Sequence, residues 1–123
     1  MHTILGEMQF NVGFKREEKI VFCENPRTII IKVKAYFEED GITAEQAEAL
    51  KKYSENKIEI NDTLTELAIN YDKNAASRFI PKTLLFGRNG ECALLCDDEM
   101  EPDEGIAICI YPEKKVVSQD DYL

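Results

Sequence analysis

A chain of 123 residues, 44% of them hydrophobic, carries enough apolar side chain for one core, since a domain of this size buries roughly two thirds of its unfolded surface. Its 24 acidic residues against 15 basic ones give a formal charge of −9, which disfavours nucleic acid and anionic membrane surfaces and favours basic proteins or metal cations as partners. Met1-His2-Thr3-Ile4-Leu5-Gly6-Glu7 lacks the basic region and apolar run of a signal peptide, and no apolar run nears the roughly 18 residues of a membrane span, so a cytoplasmic protein is expected.

The first segment alternates. Ile4, Gly6, Met8, Phe10 and Val12 interleave with Leu5, Glu7, Gln9 and Asn11, the period-two pattern of a strand with one buried face. Lys15-Arg16-Glu17-Glu18 reads as a charged turn before a second strand at Ile20-Val21-Phe22-Cys23, and Asn25-Pro26 as the turn that follows. From Thr28 to Phe37 a third strand places Ile29, Ile31, Val33 and Ala35 on one face and Ile30, Lys32, Lys34 and Tyr36 on the other.

After Asp40-Gly41 the period changes. Thr43-Ala44-Glu45-Gln46 is a capping box, in which the threonine hydroxyl accepts from the N–H three residues on and Gln46 reaches back, with Ile42 placed to staple onto Ala47. Ala47, Leu50 and Tyr53, then Ile60, Leu64, Leu67, Ala68 and Tyr71, recur at helical spacing. This predicts two helices, or one kinked near Asn56, over one sheet face. Asp72 to Arg78 reads as a connecting loop.

Asn89-Gly90 between Thr83–Arg88 and Glu91–Cys96 is a strong hairpin signal, because a type I′ turn needs positive φ at both central residues. That turn pairs Arg88 with Glu91, Phe86 with Ala93 and Leu84 with Leu95 on one face, with Leu85 and Leu94 meeting on the other. An acidic loop from Asp97 to Glu104 precedes Ile106–Tyr111, and Val116-Val117 makes a last short strand. The fold class expected is α+β: a single domain over residues 1–123, with an antiparallel sheet of about six or seven strands packed on one or two central helices that follow the third strand.

Little in the sequence specifies chemistry. Cys23, Cys92, Cys96 and Cys109 lie in apolar runs and read as packing thiols in a reducing compartment. Cys92 and Cys96 would stand about 13 Å apart on a straight strand, too far to share a disulfide or a zinc ion. His2 is the only histidine, and no catalytic or cofactor-binding residue is assigned. The acidic loop fails the EF-hand template, with Pro102 where glycine belongs and Ile108 where the bidentate glutamate belongs. Asp97, Asp98 and Glu101 are the candidate cation ligands. Asp97, Asp98, Glu99, Glu101, Asp103 and Glu104 form the candidate partner surface.

Gly6, Gly41-Ile42-Thr43 with Gln46, Asn56, Tyr71 and Pro102-Asp103-Glu104-Gly105 together resemble a family of small bacterial domains of unknown function, whose acidic turn commonly ends Glu-His-Gly. Asp103-Glu104 stands here in place of the Glu-His pair. The resemblance implies an interaction role, such as an immunity-type protein that neutralises a basic toxin. The alternative expectation is a cation-binding protein or an enzyme using the carboxylates of residues 97–104.

Overall fold

The computed structural model describes residues 9–10, 14–34, 41–111 and 113–122. The architecture is α+β. In chain order the elements are β1 (Gln9–Phe10), β2 (Phe14–Phe22), β3 (Asn25–Val33), α1 (Ala44–Glu55), α2 (Lys57–Tyr71), α3 (Ala75–Arg78), β4 (Phe79–Phe86), β5 (Cys92–Asp98), β6 (Ile106–Tyr111), β7 (Lys115–Ser118) and α4 (Gln119–Tyr122). Among the described residues the strands form one sheet in sequence order, six strands of four residues or more plus the two-residue β1.

The sheet is mixed rather than antiparallel. β3 and β4 run parallel, with Ile31 beside Leu84 and Val33 beside Phe86, and every other neighbouring pair is antiparallel. The helical segment causes this: it crosses over one face and delivers the chain back to the end where β3 began, the route a parallel pair requires. Its exit includes a single turn of helix, α3, inside what reads in sequence as a loop.

Two N-terminal expectations also change. Lys15-Arg16-Glu17-Glu18 lies within β2, paired residue by residue with Ile29 to Lys32 of β3. Its charges hide the strand period because Glu18, on the helix-facing side with Ile20 and Phe22, meets Lys57 of α2 at 3.4 Å. The turn after β2 is Cys23-Glu24 rather than Asn25-Pro26, and both of its residues have positive φ. That left-handed backbone is unfavourable without glycine. It is held by the Cys23 N–H, which donates to the Thr65 hydroxyl of α2 at 3.0 Å. The remainder of the strand expected over Ile4–Val12, and Ala35 to Phe37 of the third, lie outside the described residues.

The β4–β5 hairpin shows how one residue of register decides which side chains face which way. The Gly90 N–H donates to the Gly87 carbonyl at 2.9 Å, the Gly87 N–H donates to the Glu91 carbonyl at 2.8 Å, and only Gly90 of the loop has positive φ. This is a three-residue loop with a glycine bulge, not a two-residue type I′ turn. Phe86 therefore pairs with Cys92, Leu85 with Ala93 and Leu84 with Leu94, one residue off the expected register. Leu84, Phe86, Cys92, Leu94 and Cys96 consequently share the helix-facing side, a complete inversion for β5 relative to a slipped ladder.

The main core lies between that face and the helices, with Ile29, Ile31, Val33, Leu84, Phe86, Leu94 and Ile108 below and Leu50, Tyr53, Leu64 and Ala68 above. α1 and α2 are separate helices broken at Asn56, whose side chain folds back onto the Lys52 carbonyl instead of capping α2. The capping box is present: Thr43 Oγ1 accepts from the Gln46 N–H at 3.0 Å, and Gln46 Oε1 accepts from the Thr43 N–H at 2.9 Å. Gln46 does more than cap, because its amide also donates to the carbonyls of Lys34 and Phe86, pinning α1 to the ends of β3 and β4. On the opposite sheet face Ala93, Ala107 and Cys109 form a smaller cluster that Leu95, Val117 and Tyr122 of α4 cover.

Candidate functional site

The two ends of β5 lead to different surfaces. At its C-terminal end stands the acidic loop. Asp97 and Asp98 are successive strand residues and point to opposite faces. Asp97 is exposed, whereas Asp98 is only 4% exposed and turned inward. Arg78 holds Asp98 in a bidentate pair, Nε to Oδ1 at 2.9 Å and Nη2 to Oδ2 at 2.8 Å, and its third nitrogen reaches Asp72 at 3.0 Å. The Met100 N–H adds a fourth bond, at 2.9 Å to Asp98 Oδ1. Hydrogen bonds from Arg78 pull the Asp98 carboxyl below the usual carboxylate range, and the Asn74 N–H with Arg78 does the same for Asp72.

Asp98 is thus an internal anchor of the loop, not part of its outer surface. Glu99, Glu101, Asp103 and Glu104 are exposed. Glu99 donates its N–H to the Arg78 carbonyl, and the Glu104 N–H closes a turn on the Glu101 carbonyl. Glu104 titrates above its ordinary range because it shares a hydrogen bond with the Glu101 carboxyl and lies near Asp120 as well. The structure does not bring Asp97, Asp98 and Glu101 together: among the described residues no three His, Cys, Asp or Glu side chains stand close enough to hold a metal ion.

At the N-terminal end of β5 an open groove of about 620 Å³ runs beside α1. Ala44, Glu45, Glu48, Ala49, Lys52 and Tyr53 supply one wall, a full helix face at i, i+4 and i+8 spacing. The Asn89-Gly90 turn, Ile110, Tyr111 and Lys114 supply the other, and Glu59, Ile60 and Thr63 of α2 close one end over a floor of Phe86 and Cys92. Gly90 fits here because its φ is +85° and a Cβ would stand 3.0 Å from the Glu45 carbonyl oxygen, so the hairpin tip abuts the start of α1.

A β-bulge builds the far wall. Ala93 pairs with Cys109 but Cys92 pairs with Tyr111, leaving Ile110 as the extra residue. Strict alternation would send Tyr111 to the same face as Cys109. The bulge brings it beside Cys92 on the helix side, where Ile110 already points, so two consecutive apolar side chains enter one groove. Tyr111 remains 54% exposed there, a large ring with no cover.

Two groups on the groove, Cys92 and Tyr53, are poorly set for acid–base or nucleophilic work. Burial pushes the Cys92 thiol far above its ordinary value, and burial first, then Glu18, pushes the Tyr53 hydroxyl up as well. The Tyr53 hydroxyl is buried without a hydrogen-bond partner among the described residues. All four cysteines are buried free thiols.

Sequence reading missed Ala49, Ile60, Ile110 and Tyr111 as a set. The available signals were the small residues Ala44 and Ala49 on α1, which leave room, and an apolar run ending in tyrosine; the bulge that joins them has no sequence mark. No helix among the described residues is long and apolar enough to cross a membrane. Comparisons with protein-family models, with curated proteins and with solved structures find no match to this chain.

Proposed function

We propose that this protein is a non-catalytic interaction domain that takes a segment of a partner protein into the groove beside α1. The observation that carries the reading is the groove itself. Its volume lies within the range of about 300–1,000 Å³ usual for binding sites, its floor is apolar, and Tyr111 stands exposed on its wall. An exposed tyrosine beside an apolar floor is the residue type that dominates protein interfaces.

The partner is basic. The formal charge of −9 and the exposed carboxylates of Asp97, Glu99, Glu101, Asp103 and Glu104 attract cations over a Debye length, speeding encounter without fixing the docked pose. An immunity-type protein that neutralises a basic toxin is the biological form most consistent with this charge and with the bacterial resemblance.

Affinity capture in matched pairs tests the reading. Wild-type protein should retain a basic protein that Tyr111→Ser loses, while Glu99→Gln with Glu101→Gln weakens capture mainly at low salt, the difference fading as salt rises. A partner retained equally by wild type and Tyr111→Ser would remove the groove from the function.

A further inference from the structure

We propose that the groove receives a basic amphipathic α-helix, an inference that rests on the interaction reading above and names the shape and charge of the partner segment. Three features of the groove select it. The first is length. The α1 wall is a helix of 12 residues, about 18 Å long, and a guest helix of some three turns laid alongside would match it.

The second is the backbone. β6, whose end forms the opposite wall, is paired with β5 out to Tyr111 and with β7 as far as Cys109, and the Gly87 and Gly90 N–H groups of the adjoining turn are bonded within it. The groove therefore offers an extended peptide at most the two residues Ile110 and Tyr111 on the β7 side, and rewards chiefly side chains. A helix arrives with its backbone hydrogen bonds already made and presents apolar side chains at i, i+3 or i+4 and i+7, spaced to reach Ala49, Ile60, Ile110 and Tyr111.

The third is charge. Three carboxylates, Glu45, Glu48 and Glu59, line the groove against two ammonium groups, Lys52 and Lys114. Lys52 follows Glu48 by one helical turn, a spacing that offsets it, whereas Glu113 beside Lys114 pairs with Lys115 at 2.9 Å. The surplus is negative, as it is for the whole chain. Lysine or arginine on the flanks of the guest helix would meet Glu45, Glu48 and Glu59 along the rim.

The probes are three synthetic peptides of about 14 residues: leucine–lysine and leucine–glutamate sequences with helical apolar period, and a serine–lysine sequence of the same charge. Calorimetric titration of the whole protein with each, and circular dichroism of the mixtures, should show saturable binding and gained helicity for the leucine–lysine peptide alone. Tyr111→Ser should weaken that binding at least about tenfold, the loss expected of a buried aromatic anchor. Reversal at Glu48→Lys with Glu59→Lys should weaken it and bring the leucine–glutamate peptide up. These three residues lie at the surface, and urea melts of the variants confirm that the fold is retained.

The inference is overturned if the leucine–glutamate peptide binds as well as the leucine–lysine one, if the serine–lysine peptide matches both, if none binds, or if Tyr111→Ser leaves binding unchanged. The two readings fail separately. A captured partner that needs Tyr111 while every helical probe fails keeps the interaction function and discards the helix. Groove-dependent probe binding with a partner indifferent to Tyr111 does the reverse.

Discussion

The two ends of β5 are separated by about 20 Å of one strand and solve opposite problems. At the Asp98 end one carboxylate of the loop is taken up by the protein itself while Asp97, Glu99, Glu101, Asp103 and Glu104 stay exposed: Arg78 bridges Asp98 and Asp72, and Gln119 donates across Gly105 to the Cys96 carbonyl at 2.8 Å. At the Cys92 end Tyr111 stands 54% exposed beside the half-buried Ile110, between α1 and the hairpin. The acidic loop is therefore held from within through Asp98, and an uncovered aromatic ring stands at the other end.

The contrast is sharpest in what each end contributes to stability. Replacing Asp98 with alanine leaves the Arg78 guanidinium facing Asp72 alone and frees the Met100 N–H. Urea unfolding should show a loss of about 2–4 kcal/mol, the scale of charge-assisted bonds to a buried carboxylate. Gln46→Ala removes half the capping box and the bonds to Lys34 and Phe86, and should cost about 2–3 kcal/mol. Gly90→Ala, which forces a side chain to φ +85° against the Glu45 carbonyl, should cost about 1–2 kcal/mol. Each of the last two also shifts the groove wall, so weakened peptide binding should accompany the stability loss. Asp98→Ala should leave peptide binding in place.

Acid separates the carboxylates at the Asp98 end by sign. Asp98 and Asp72 have folded-state values below their unfolded ones, so their contribution is complete above about pH 4 and is lost as pH falls through the depressed folded values. Arg78→Met should flatten that acid limb. Glu104 has the opposite sign: its raised value means the folded state binds the proton better, so stability falls as pH rises through the window above the ordinary glutamate value. Glu104→Gln should raise the urea midpoint at pH 7 and leave it unchanged at pH 3. The smallest stability effect belongs to Tyr111→Ser, within about 0.5 kcal/mol because the ring is half exposed.

What the sequence made legible follows from local physics. The capping box needs only residues 43 and 46, and the face of β3 carrying Ile29, Ile31 and Val33 follows from a period of two; both are present. The register of the hairpin was not legible, because Asn89-Gly90 serves equally in a two-residue turn and in a three-residue loop with Gly90 alone left-handed. The first half of β2 was hidden, although Ile20 to Phe22 was legible, because Glu18 on its helix-facing side is satisfied by Lys57 from a distant element. The acidic loop was legible as a surface, but not that Asp98 alone turns in, since its partner Arg78 is 20 residues earlier. The groove depends on a bulge, α1 and α2 together, and no short stretch of sequence carries all three.

The most direct test is an amide-shift titration of the isotopically labelled protein with the leucine–lysine peptide. The account predicts saturable shifts confined to Ala44 to Asn56, Glu59 to Thr63, Asn89 to Cys92 and Ile110 to Lys114, absent in Tyr111→Ser. Shifts confined to residues 97–104, with the groove silent, would contradict it and return the function to the acidic loop.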